Sequence, residues 1–202
     1  VWMASTDYQI NFNKDLSSFI AYMAYQNTSR DHYTGIFPDD SLGAEIHLSN
    51  PPYGVSDVST SNVGLQLNHK LLDFLIPGTN VLTFGAEYLY DAVYDEIPAY
   101  NYLINQNTQD LGLFLQSDWA LLPNLNLLSG CRVDAHNLVD ELIWSPRVSL
   151  LYKLKKNTQF RLSYGTGFRA PQAFDTDLHI AFAGGGISRV TLAPDLEEEN
   201  SE

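Results

Sequence analysis

Apolar and polar residues alternate along this chain over unusually long runs. In the run 110–121 the odd positions are mostly leucine and tryptophan, whereas the even positions include two aspartates and a glutamine. Similar alternation occupies 62–71, 82–91 and 159–165. Successive side chains of a β-strand point to opposite faces, so each run predicts a strand with one apolar and one polar face. No stripe at the helical period accompanies these runs, and we expect an all-β chain.

The alternating runs are long for strands of a soluble protein. They reach about nine to twelve residues, against about five or six in ordinary soluble sheets. A tilted strand needs about 9–11 residues to cross a bilayer. The chain contains no apolar run of the roughly 18 residues that a membrane helix needs. Strand length therefore favours a membrane barrel, whose alternation averages to neutral hydropathy.

The predicted connections between strands differ in length at the two ends of the sheet. The short turns fall near 11–15, 76–80, 122–124 and 155–157. The long connections fall at about 31–60, 92–108, 135–144 and 167–197. Strict alternation of short and long connections is typical of outer-membrane barrels, which have short periplasmic turns and long extracellular loops. We predict an antiparallel up-and-down transmembrane β-barrel, of which this chain supplies about eight or nine strands.

Two other architectures share part of this pattern. A secreted β-sandwich also alternates apolar and polar residues, and it could bind glycans through its many tyrosines and tryptophans. A small closed barrel of about eight strands could serve as an adhesin or structural protein. Aromatic residues at the predicted strand ends, such as Tyr88, Tyr90 and Trp144, suit the interfacial girdle of a membrane barrel.

Composition excludes several classes of function. The formal net charge of −13 argues against nucleic acid as a partner, because nucleic-acid binding needs a basic surface. The single cysteine, Cys131, excludes an internal disulfide framework. No nucleophile elbow, carboxylate pair or metal cluster has suitable spacing, so we expect neither an enzyme nor a resident cofactor or metal. The chain does not start with a signal peptide, and we expect it to begin partway through a longer protein.

Two strings in the second half of the chain are recognisable. The first begins at Ser145, Pro146 and Arg147, and the second ends in Phe168, Arg169, Ala170 and Pro171. Together they resemble the barrel of TonB-dependent receptors, in which an "SPR" strand precedes a "YGxGFRAP" strand and loop. Ala193-Pro194-Asp195-Leu196 resembles the "NPxL" segment that follows in the family, with Ala193 in place of the usual asparagine. The resemblance is close over 109–202 and a matter of pattern alone over 16–108.

The resemblance implies a bacterial outer-membrane receptor that captures a scarce nutrient for energy-coupled uptake. Such a receptor has a barrel of about 22 strands around an N-terminal plug. Residues 1–202 would then be the middle of the barrel domain, without the plug and the C-terminal strands. The implied partners are outer-membrane lipid, the TonB energy-coupling protein through the missing N-terminal part, and a small nutrient ligand. That ligand is an iron–siderophore, haem or cobalamin.

Candidate ligand-binding residues lie on the predicted long loops. Haem importers of the family bind iron through a histidine between the "FRAP" and "NPxL" segments, and His179 occupies that interval close to Asp175 and Asp177. His32 and Tyr33 lie on the first long loop. For the residues of the conserved strings we expect structural roles: Arg169 pairing with lumen acids and Pro171 ending its strand. The acids of 91–96 are predicted to form a solvated loop.

Overall fold

The computed structural model describes residues 1–33, 35, 37–74, 78–155, 157–170, 181–182, 186–187 and 199–201. Eight strands form one antiparallel sheet in sequence order. They are β1 Trp2–Phe12, β2 Ser17–Tyr33, β3 Tyr53–Leu72, β4 Thr79–Ile97, β5 Tyr102–Leu122, β6 Leu125–His136, β7 Ile143–Lys155 and β8 Thr158–Gly165. The predicted up-and-down topology is confirmed, and β1 and β8 are the edges of this sheet in the part of the chain described.

Four shorter strands lie outside the main sheet. Strand β9, Gly167–Arg169, pairs antiparallel with β12, Glu199–Ser201. Strands β10, Ala181–Phe182, and β11, Gly186–Ile187, form a second two-stranded pair. Helix α1 spans Ser41–Ser49, and a 3-10 turn spans Pro98–Tyr100. Neither described helix is long and apolar enough to span a membrane.

The register of the strands sorts the side chains into an apolar and a polar face. Leu65, Ala86, Leu113 and Val133 lie in one row across four strands. The apolar face is uncovered in the sheet: Leu113 is 47% exposed and Leu162 is 76% exposed. In a soluble β-sandwich these residues would be buried against a second sheet, so the sandwich interpretation is wrong. The apolar face instead forms the lipid-facing exterior of a barrel, and the polar face lines its lumen.

Aromatic side chains mark one boundary of the apolar band. Tyr25 and Tyr90 lie in the same outward row, and the Trp2 and Tyr25 rings are 4.9 Å apart. Below this row the outward positions of β3, β4 and β5 include Val63, Tyr88 and Leu111. Amphipathic rings at that level are typical of the membrane–water interface.

The predicted long connection 92–108 is wrong. Strands β4 and β5 continue through it, pairing Val93 with Gln106 and Ile97 with Tyr102 before the 3-10 turn. Above the apolar band the outward side chains become polar. The alternation of apolar and polar residues that identifies a membrane strand therefore ends there, although the backbone pairing continues. Asp95, predicted on a solvated loop, is therefore a buried strand residue with 1% exposure.

Two other predicted loops are shorter than expected. The connection placed at 135–144 leaves the sheet only between His136 and Ile143. The connection placed at 31–60 contains helix α1, which no helical periodicity in the sequence predicted. This helix begins where the Asp40 carboxylate accepts a hydrogen bond of 2.6 Å from the Gly43 backbone N–H. Its apolar residues, such as Leu42 and Ile46, are exposed, so the helix lacks the buried apolar stripe that helical periodicity would reveal.

The assignment of the two faces predicts different costs for a charge placed on each. Replacing Leu113 by Arg puts a guanidinium among lipid tails and should destabilise the folded barrel by about 2–4 kcal/mol. The matched Gln116→Arg variant places the same group on the lumen face of the same strand and should cost less than about 0.5 kcal/mol. Urea unfolding of the full-length protein in phospholipid vesicles measures both, and equal costs would contradict the assignment.

Candidate functional site

The candidate site is the polar, lumen-facing side of the sheet. Seven charged residues of β5–β8 that the alternation predicts on the inward face share it in the observed register. They are Asp110, Asp118, Arg132, Asp134, Arg147, Lys153 and Arg161. Because β4, β5 and β6 are neighbours, side chains far apart in the sequence meet on this face.

Arg132 is the centre of an ionic network on that face. Its Nη1 lies 2.9 Å from Oε2 of Glu87 on β4, and its Nε lies 2.6 Å from Oδ1 of Asp134 on its own strand. Its Nη2 lies 3.7 Å from Oδ2 of Asp110 on β5. The planar guanidinium carries several N–H donors in a fixed arrangement, so this one side chain can interact with three carboxylates. The network ties three consecutive strands together across the lumen wall.

Two further hydrogen bonds extend the network to β2 and β3. The Tyr22 hydroxyl donates to Oε1 of Glu87 at 2.8 Å, and Nδ2 of Asn62 donates to the same oxygen at 3.2 Å. Two glycines beside the large side chains make these hydrogen bonds possible. A Cβ added at Gly64 would overlap the Tyr22 ring, and a Cβ added at Gly112 would overlap the Arg132 guanidinium. The absence of a side chain at these two positions lets the neighbouring ones lie flat on the wall.

The network carries more negative than positive charge. Glu87, Asp110 and Asp134 surround the single guanidinium of Arg132. Two of their oxygens, Oδ1 of Asp110 and Oδ2 of Asp134, are buried and accept no hydrogen bond from the described residues. Buried carboxylate oxygens favour donors and cations. This part of the wall can therefore accept further donors from groups that occupy the lumen.

A cavity of about 230 Å³ adjoins this network. Its lining joins the middle of β4 and β5 and the end of β6 to strand β9. The lining residues are Leu89, Asp91, Thr108, Asp110, His136, Phe168, Arg169 and Ala170. The rings of His136 and Phe168 meet edge to face, with their centroids 6.4 Å apart. Three residues of the second conserved string thus lie against the lumen wall.

The first conserved string opens strand β7. Ser145 is opposite Arg132 and Arg147 is opposite Gly130, so both occupy the lumen face. Pro146 lies on the outward face opposite Cys131. The carbonyl oxygen of Pro146 accepts a hydrogen bond of 3.1 Å from the backbone N–H of Thr166. The two strings therefore contact each other at the point where β8 ends and β9 begins.

His32 and Tyr33 lie on opposite faces of β2. The imidazole of His32 faces the lumen side, where its Nε2 lies 3.8 Å from Oδ1 of Asp95. Tyr33 lies on the outward face and bonds through its hydroxyl to Nε2 of His47 in helix α1. Its ring also meets that of Tyr53 at a centroid distance of 5.3 Å. In this arrangement Tyr33 anchors the helix, whereas His32 lines the rim of the lumen.

The other predicted ligand residues, Asp175, Asp177 and His179, lie outside the described residues, as does Pro171. Within the described part of the chain, no group of three or more His, Cys, Asp or Glu side chains is placed to hold a metal ion. Glu87, Tyr22 and Asn62 were not predicted as site residues from the sequence. Asn62 and Glu87 stand on the polar side of the runs 62–71 and 82–91, which indicated their face but not their contact, whereas Tyr22 lies outside the alternating runs.

The chain matches the family described as "TonB dependent receptor-like, beta-barrel" over residues 1–202. It therefore belongs to the TonB-dependent receptors, which are outer-membrane β-barrels and act as transporters rather than enzymes. The expectation drawn from the two conserved strings is confirmed. The sheet described above is part of such a barrel.

Solved structures of siderophore receptors share the fold. The chain is similar to the ferric enterobactin receptor PfeA of Pseudomonas aeruginosa, solved with enterobactin, at 19% identity and a TM-score of 0.67, covering 84% of this chain and 25% of that one. It is also similar to the siderophore receptor PirA of Acinetobacter baumannii, at 14% identity and a TM-score of 0.62, covering 84% and 26%. PirA of Pseudomonas aeruginosa is similar at 17% identity and a TM-score of 0.56, covering 91% of this chain and 37% of that one.

The chain spans about a quarter of the length of the first two of these receptors. No protein of curated function matches it in sequence. At sequence identities of 14% to 19%, the structural similarity shows a shared fold alone.

The ionic network predicts that Arg132 stabilises the barrel more than other lumen arginines do. Arg132→Met leaves three carboxylates without their common cation and should lower the free energy of unfolding by about 2 kcal/mol. The control Arg147→Met removes the same charge from an exposed position on the same face and should cost less than about 0.5 kcal/mol. Urea unfolding of the full-length protein in vesicles compares them.

A lysine should replace Arg132 only in part, because an ammonium group cannot span three carboxylates in a planar fork. Unfolding energies of Arg132→Met and Arg147→Met that agree within error would show that the network does not support the barrel.

Proposed function

We propose that this chain is part of an outer-membrane receptor that captures a ferric siderophore at the cell surface for energy-coupled uptake. The observation that carries the proposal is the division of a single sheet into a lipid-compatible exterior and a charged, hydrogen-bonded lumen wall. Membership of the TonB-dependent receptor family supports it. So do the structural neighbours named as siderophore receptors, one of which was solved with enterobactin.

The chain's own residues act by binding and positioning rather than by covalent chemistry. The polar wall keeps the lumen hydrated, so a hydrophilic chelate can enter without losing all its water. The surplus carboxylates around Arg132 provide acceptors for a plug domain carried elsewhere in the full-length protein. Movement of that plug, driven through contact with TonB in the periplasm, then releases the ligand inward.

His32 is the candidate ligand contact among the described residues. It lies at the lumen rim beside Asp95. Arg30 lies on the same face of β2, and its guanidinium donates a hydrogen bond to the hydroxyl of Ser56 on the neighbouring strand β3. An imidazole and a guanidinium at the entrance suit a ligand that presents anionic oxygens. Tyr33 faces outward and contributes to the same entrance by holding helix α1 in place.

Saturable binding of an iron chelate to the full-length receptor tests the proposal. We expect ferric enterobactin to quench the intrinsic tryptophan fluorescence of the purified receptor with a dissociation constant in the micromolar range or below. Haem and cyanocobalamin serve as competing probes in the same assay. A Soret shift that is lost in His179→Ala, without siderophore binding, would overturn the siderophore assignment in favour of haem.

A second prediction concerns the rim residue itself. His32→Ala removes one polar contact and should weaken binding of the ferric siderophore by about three- to tenfold. The control His69→Ala removes a histidine that faces outward near the other end of β3, where its Nδ1 lies 2.8 Å from the Ser17 hydroxyl. That variant should bind the chelate like the wild type. Equal affinities for wild type and His32→Ala would exclude His32 as a ligand contact.

A further inference from the structure

The charged residues of the lumen wall are divided between two groups of strands. The lumen positions of β4, β5 and β6 carry one arginine, Arg132, and a set of acids. These acids are Glu87, Asp91, Asp95, Asp110, Asp118 and Asp134. The described lumen positions of β7 and β8 carry Arg147, Lys153 and Arg161 and no acid. In a chain with 11 basic and 24 acidic residues, this basic sector is a local exception.

The basic residues follow one another toward the periplasmic end of the sheet. Arg147 is farthest from the turn between β7 and β8, followed by Arg161, which lies opposite Leu151, and then by Lys153. Lys155 comes last, at the end of β7. We call Arg147, Arg161, Lys153 and Lys155 the basic track. It covers about 26 Å of strand at roughly 3.3 Å per residue, so its charges are spread along the wall rather than gathered at one point.

The side chains of the basic track are exposed and unpaired. No carboxylate of the described residues lies within ion-pair distance of any of the four. Arg147 has a glycine on each side, Gly130 on β6 and Gly165 on β8, so the neighbouring strands present no side chain beside its guanidinium. The N–H donors of the basic track are therefore available to a group that occupies the lumen.

A cavity of about 610 Å³ lies at the periplasmic end of the basic track. Its lining consists of Lys153, Lys155, Asn157, Thr158 and Gln159. Sites for small molecules commonly measure about 300–1,000 Å³, so the cavity has room for a small chelate. Ammonium groups form charge-assisted hydrogen bonds with anionic oxygens, and the amides and the hydroxyl add neutral donors. The cavity therefore suits an oxygen-rich anion.

The spacing of these cations favours a ligand that moves. Passage of an ion through a pore needs several binding positions, each weak enough to release the ion to the next one. Separated and solvent-exposed cations each contribute little, as such passage requires. A wall with charge of one sign also concentrates ions of the opposite sign along it. The basic track meets both conditions for an anion, whereas the acids of β4–β6 repel one.

We propose that an anionic ferric chelate moves along the basic track toward the periplasm, between the plug and the wall formed by β7 and β8. A ferric tris-catecholate is such an anion, because its deprotonated oxygens carry more negative charge than the iron neutralises. The inference rests on the proposed function, which supplies the chelate and the plug, and adds the route. The carboxylates around Arg132 hold the plug against β4–β6, so the passage opens on the side of β7 and β8.

The test separates transport from capture in the full-length receptor. Arg161→Gln/Lys153→Gln removes two charges from the basic track. Lys14→Gln/Lys70→Gln is the control, because it removes two exposed positive charges from the turn after β1 and the periplasmic end of β3. Arg161→Lys/Lys153→Arg keeps the charges but changes the side chains. In cells that supply TonB, surface binding of radiolabelled ferric enterobactin is measured without energy, and its uptake is measured with energy.

We expect Arg161→Gln/Lys153→Gln to bind the chelate like the wild type but to import it about fivefold more slowly, the size expected for two exposed charges. The control and the charge-conserving variant should both import the chelate at the wild-type rate, because the basic track acts through its charge.

Three results would overturn the proposal. One is equal uptake by the wild type and Arg161→Gln/Lys153→Gln. Another is an equal loss of uptake in Arg161→Lys/Lys153→Arg, because the loss would then follow packing rather than charge. Ion conductance of Arg161→Gln/Lys153→Gln in planar bilayers, without ligand or TonB, would show that the basic track holds the plug instead. Absence of binding by the wild type would overturn the proposed function itself, whereas intact binding with unchanged uptake overturns this inference alone.

Discussion

Hydrogen bonding between neighbouring backbones is the constraint on which the rest of this structure depends. In a bilayer no water is available for a free N–H or C=O group, so each strand must pair along its whole membrane crossing. The eight strands meet this requirement with consecutive antiparallel neighbours and almost continuous registers. Once pairing is fixed, every second side chain must face the lipid and the others must face the lumen. The apolar band and the ionic network of Arg132 are consequences of that division.

The strands within the bilayer were predictable from the sequence, because lipid on one face and water on the other impose a period of two. Their extensions were not predictable by the same rule. At positions 105–109 the outward residues of β5 are polar, so Asn105 and Asn107 resemble loop residues although they are paired with β4. Helix α1 was missed for a related reason: Leu42 and Ile46 are exposed, and the helix has no buried stripe that periodicity could detect.

The candidate site was predictable by face but not by contact. Alternation assigned Asp110, Arg132 and Asp134 to the lumen, and the register confirms this. The partnership of Arg132 with Glu87 joins residues 45 positions apart and depends on how β4, β5 and β6 are staggered. The same holds for His32 and Tyr33, which are adjacent in sequence and separated by the sheet. Only the structure distinguishes the lumen-facing imidazole from the ring that supports the helix.

Accessibility of single spin labels along β5 tests the central claim most directly. Labels placed one at a time from 103 to 121 in the full-length protein, in bilayers, report collisions with apolar oxygen and with a polar nickel complex. We predict that oxygen dominates at odd positions from 111 to 121 and the nickel complex at even positions. Below 111 the odd positions should lose their preference for oxygen, since the outward residues Gln109, Asn107 and Asn105 are polar and lie above the lipid tails. Equal accessibility at odd and even positions between 111 and 121 would contradict a sheet with one lipid face.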